Sequence, residues 1–160
     1  MFLYGMTAAP SPPDLAALAA FSERLRAADA TFGDYVPISG KGTETEPYTF
    51  PWYRVSDLGT AFFNAMYETG WVMEGFDWIT WKGTPEAQRF FKRNEAVVAA
   101  DAEQLTKLIT TVVRQDRYCD GTLEWAFSSG LLLAIAVRAE ALLEEGAGQD
   151  GASRVGTAAE

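Results

Sequence analysis

The chain has 160 residues, 48% of them hydrophobic, enough for one ordinary core and one domain. It holds no histidine and one cysteine, which excludes Ser-His-Asp and Cys-His hydrolases, HExxH metalloproteases, Cys/His zinc sites and an intramolecular disulfide. A formal charge of −9 with no run of Lys or Arg argues against nucleic acid and anionic lipid as partners.

The opening MFLYGM lacks the basic start of a signal peptide, and the longest apolar run, Leu131 to Val137, is too short to span a bilayer. The expectation is a soluble, cytoplasmic protein without cofactor or metal. It divides into an N-terminal extension (1–10), one helical domain (11–145) and a disordered small-residue tail (146–160).

Ser11-Pro12-Pro13-Asp14 predicts a helix start with Ser11 as cap, and Leu15, Leu18, Phe21 and Leu25 carry the period to about Asp29. From Thr31 to Pro51, glycines and prolines punctuate the chain, predicting a long loop pinned at both ends by aromatic residues. Within it, Gly40-Lys41-Gly42-Thr43 is not a phosphate loop, because Tyr35 stands where the first glycine is required.

Ser56 caps a second helix that ends at Gly70. The segment Trp71 to Trp81 alternates poorly and predicts irregular structure or a short helical turn. Four of the five tryptophans lie between Trp52 and Trp81, as core filling or as an aromatic groove. Thr84-Pro85-Glu86 opens a short helix to about Arg93. Asp101 caps a central helix with an apolar stripe of Leu105, Leu108, Ile109, Val112 and Val113. Further helices are expected over Gly121 to Ser129 and Leu131 to Glu145. The fold class is mainly α: one compact domain of about five helices with an irregular Trp-rich segment, and room for one short β pairing between Tyr48–Tyr53 and Trp71–Trp81.

Asp116 continues the apolar stripe at the negative end of the central helix, a poor place for a carboxylate without partners. The same difficulty attends Asp77, set among aromatic residues. One partly buried network of Asp77, Arg114, Asp116 and Arg117, joined by Glu124, would relieve both. It would either tie the helix end to the Trp-rich segment or form a site. Cys119 reads as a small packed residue.

Phe76-Asp77-Trp78 with Trp81, Asp101-Ala102, Leu105 to Leu108, Thr110, Arg114, Asp116-Arg117-Tyr118, Gly121 and Phe127 to Gly130 together resemble an uncharacterised bacterial family, domain of unknown function 6508. The resemblance covers roughly Thr31 to Leu143. In that family the corner usually reads Arg-x-Asp-Arg-Phe before a glycine, and often carries His where Thr122 stands here. The resemblance implies no catalyst, cofactor or ligand.

Two functions follow as expectations. The first is an interaction or regulatory module that binds a protein partner or a second copy, and is not an enzyme. The second is a small-ligand site or enzyme with an anion site at the corner. The residues that would bind in either case are Asp77, Trp78, Trp81, Arg114, Asp116, Arg117 and Tyr118; no catalytic residue is assigned.

Overall fold

The computed structural model describes residues 11–154; the expected extension at 1–10 and the last six residues of the tail lie outside them. The fold is mainly α with a short antiparallel β pairing, built from eight α-helices among the described residues.

The first helix is two pieces, α1 (Leu15–Ala19) and α2 (Phe21–Arg26), and its cap is Asp14 rather than Ser11. The Asp14 carboxylate accepts from Ala17 N at 3.0 Å, while its backbone is claimed elsewhere. Asp14 N donates to Thr69 O at 3.0 Å, and Asp14 O accepts from the Trp71 indole at 2.9 Å. Those tertiary bonds fix the residue before the helix, so Ser11 to Pro13 stay outside it.

Within the expected loop, β1 (Gly33–Val36) pairs antiparallel with β2 (Trp52–Val55) in the register Gly33↔Val55 to Val36↔Trp52. The partner of β2 is therefore this loop's own start, and not the Trp71–Trp81 segment. That segment turns through Gly75 and then coils, so it offers no extended edge.

Next, α3 (Asp57–Glu68) is capped by Ser56, whose hydroxyl accepts from Gly59 N at 3.0 Å. After the irregular stretch come α4 (Trp78–Lys82), α5 (Pro85–Lys92) and a 3-10 helix (Asn94–Ala99). The central α6 (Ala102–Asp116) starts on a full capping box between Asp101 and Gln104. Then α7 (Thr122–Ser128) and α8 (Leu131–Arg154) each follow a glycine at positive φ, Gly121 at 89° and Gly130 at 83°. Five residues join α6 to α7 and two join α7 to α8, and each turn ends on a glycine in a conformation that costs a residue with a Cβ.

The apolar stripe of α6 is wholly buried, as its period predicts. Against it lies the first half of α8, with Leu131, Leu132, Ile135, Ala136 and Ala139 buried. That half also receives α1, α2, α7 and the 3-10 helix. Among the described residues no single helix is long and apolar enough to cross a membrane. Beyond Glu145, α8 continues to Arg154 with its side chains exposed where described, whereas the composition predicts disorder from Gly146. Propagation from a buried start adds one hydrogen bond per residue, which offsets the cost of the interior glycines.

Candidate functional site

Of the seven residues singled out, Trp81 is buried, Trp78, Arg114 and Asp116 are half-buried, and Asp77, Arg117 and Tyr118 are exposed. The network expected to join Asp77, Arg114, Asp116 and Arg117 does not form. Asp116 is two residues from Arg114 and one from Arg117, spacings at which side chains do not face each other, and backbone groups stand closer.

Asp77 caps α4, with Oδ1 accepting from Thr80 N at 3.1 Å. Hydrogen bonding from Thr80 holds its carboxyl below the ordinary aspartate range. Asp116 solves its placement differently. Its Oδ1 accepts from Leu123 N at 3.0 Å, so a carboxylate at the negative end of α6 meets the positive end of α7. Burial still pushes its pKa up, with Asp120 adding to the rise and the amides of Leu123, Thr122 and Gly121 opposing it.

Arg114 reaches across to the Trp-rich segment, where Nη2 donates to Met73 O at 2.8 Å. Its Nε is buried without a hydrogen-bond partner. One turn earlier, the Thr110 hydroxyl accepts from Met73 N at 3.0 Å. Two residues of α6 thus hold both backbone polar groups of a single residue. Arg117 joins none of the ion pairs among the described residues. Glu124 accepts from the Tyr53 hydroxyl at 3.4 Å, apart from the arginines. Burial, then Glu124 and Asp116, pushes the Tyr53 pKa up to about 12.

The tryptophans divide between the two readings. Trp71 is fully buried, and Trp81 is buried with its indole donating to Glu86 Oε1 at 2.9 Å. Glu86 in turn accepts from Gln104 at 3.1 Å, and these two donors lower its pKa. Trp78 instead faces a cleft. Its ring lies 22° from parallel to that of Tyr118, with centroids 6.4 Å apart.

This cleft, of about 450 Å³, runs between α4 and the C-terminal turn of α6, walled by Trp78, Ile79, Tyr118 and Cys119. Beside it lies a second, of about 260 Å³, walled by Phe91, Val112, Thr122 and Trp125. Lys82 and Gln115 line both and separate them, the Lys82 ammonium donating to Gln115 Oε1. Neither residue was singled out from the sequence, though the spacing Trp78/Lys82 and Gln115/Cys119 is one helical turn in each case. Among the described residues no cluster of three acidic or thiol groups could hold a metal.

A second apolar surface lies on the hairpin. The bridge Ser39↔Thr49 continues the register of the strands, so Pro37 stands opposite Pro51 and neither can donate to the ladder. The resulting arm carries Phe50 at 79% exposure, Tyr35 at 63%, Tyr48 at 60%, with Ile38 and Trp52 about half exposed. Sequence reading pinned these aromatic residues to the body. Instead, only Phe32, Tyr53 and their neighbours anchor the arm, Phe32 stacking on Phe127 at 5.0 Å.

No curated protein and no solved structure matches the chain. One family model does, a family of unknown function, over residues 10–145, so the match takes in the first two helices as well as the Trp-rich segment, the corner and α8 up to Glu145. The chain therefore belongs to the DUF6508 family.

Proposed function

We propose that this protein is a small interaction module, and that the Gly33–Val55 arm joins it to a second copy. The observation that carries the reading is the exposure of five large apolar side chains on one two-stranded element. A hairpin of that size is only marginally stable alone, and such side chains in water are costly unless covered.

The area fits self-pairing. By the alternation of the ladder, Ile38, Tyr48, Phe50 and Trp52 share one face and Tyr35 lies on the other beside Tyr53. Those four side chains expose roughly 500 Å², so two arms packed by that face would bury on the order of 1,000 Å², near the lower limit for a specific interface. Charge fits as well. Between Thr31 and Ser56 the chain has Asp34, Lys41, Glu44, Glu46 and Arg54, of which Arg54 pairs with Asp34 at 2.7 Å and Lys41 with Glu46 at 3.1 Å. The arm is nearly neutral on an acidic chain, so arm-to-arm packing keeps most like charge apart. A reducing, intracellular setting suits the exposed thiol of Cys119.

Analytical ultracentrifugation over a hundredfold range of concentration tests this. The wild type should pass from monomer to dimer, and Phe50→Asp should remain monomeric with an unchanged thermal midpoint. A wild type that stays monomeric throughout, or a Phe50→Asp dimer as tight as the wild type, would overturn the reading.

A further inference from the structure

The two clefts at the junction of α4 and α6 meet at one cation. Lys82 joins none of the ion pairs among the described residues, although acidic groups outnumber basic ones 22 to 13 in the chain. An ammonium has three donors, and one goes to Gln115 Oε1. Gln115 Nε2, a further donor on the same spot, has no protein partner among the described residues. Two half-satisfied donor groups therefore sit side by side at the boundary between apolar walls.

Their position is fixed from behind. Lys82 O accepts from Gln88 Nε2 at 2.8 Å, and the preceding Trp81 is locked by Glu86. On one side, the Trp78 and Tyr118 rings are near parallel; on the other, the Phe91 centroid lies 6.0 Å from Lys82 Nζ. A volume of about 450 Å³ lies within the range of small-ligand sites.

We infer that these clefts form one binding site for an aromatic carboxylate. The ring packs in the larger cleft against Trp78, Ile79 and Tyr118. The carboxylate lies at the boundary, taking hydrogen bonds from Lys82 Nζ and Gln115 Nε2. The acidic chain opposes an anion only at long range, since charges in water are screened beyond about 8 Å at physiological salt. At contact, the half-buried ammonium decides. The site is independent of the arm, and it uses Lys82 in place of the Arg114 and Arg117 pair that the sequence suggested.

Isothermal titration with 2-naphthoate and its neutral analogue 2-naphthamide tests the assignment. Wild type should bind the acid at least tenfold more tightly than the amide. Lys82→Met should lose that tenfold for the acid and leave the amide unchanged, while Lys82→Arg restores most of it. Tyr118→Ala should weaken both ligands alike. Should Lys82→Met fail to fold, the acid-to-amide ratio of the wild type decides by itself. Equal affinity of the wild type for the two, no heat of binding at millimolar ligand, or full acid binding by a folded Lys82→Met would each overturn the site.

Discussion

Met73 is gripped from both sides by α6, and this explains two polar residues on the helix that organises the core. Thr110 is fully buried, yet its hydroxyl is saturated: it accepts from Met73 N and donates back to Thr106 O at 2.7 Å. Thr110→Val keeps the shape and orphans the Met73 amide. It should cost about 1–3 kcal/mol, measured by urea unfolding; a cost near zero would show that Met73 finds another acceptor. Asp116 makes a prediction in pH. Its folded pKa is raised, so its contribution to stability is complete below the unfolded value of about 3.9 and is lost as pH rises through the folded one. Asp116→Asn keeps an acceptor for Leu123 N and cannot ionise. Relative to wild type, the variant should therefore gain stability as pH rises from about 4 through the raised folded pKa. A difference that stays flat over that window would mean that Asp116 titrates alike in both states. Tyr53 should be the late tyrosine in an alkaline absorbance titration, near its raised value of about 12, and Tyr53→Phe should remove that component.

The elements that carried their own start signals were legible in advance. Ser56, Thr84 and Asp101 each cap the helix expected of them, because a cap is a local bond between a side chain and an amide two or three residues on. Ser11 failed for the opposite reason, since bonds to Thr69 and Trp71 decide where the chain enters α1. The arm was hidden for a related cause. Pro37 and Pro51 read as loop punctuation, and only their cross-strand alignment reveals that they face one another in a hairpin. The extension of α8 past Glu145 is exposed, so it should contribute little to stability. Truncation after Glu145 should lower the thermal midpoint by less than about 3 °C. A larger drop would mean that this segment is covered in solution.

Across the molecule, the fold class, the central helix with its buried face, and the chemistries closed to a chain without histidine could all be read from the residues alone. These follow from composition and from a period of 3.6, which act within a few residues. The family was legible as well, because its motif residues are read in order along the chain. The candidate sites were legible only in part. Trp78 and Tyr118 were named, but Lys82 and Gln115 were not, and Trp81 proved to be core. Helical spacing tells which side chains share a face, but not which face of another helix it meets. That meeting rests on how α4 docks at the end of α6, and so on contacts between residues some thirty to forty positions apart, such as Arg114 with Met73 and Lys82 with Gln115. Whether a charge pairs with another charge or with a helix end, and whether an aromatic ring fills the core, lines a cleft or stands on an arm, was decided by the tertiary structure, because packing at a distance sets the partners and no local rule encodes it.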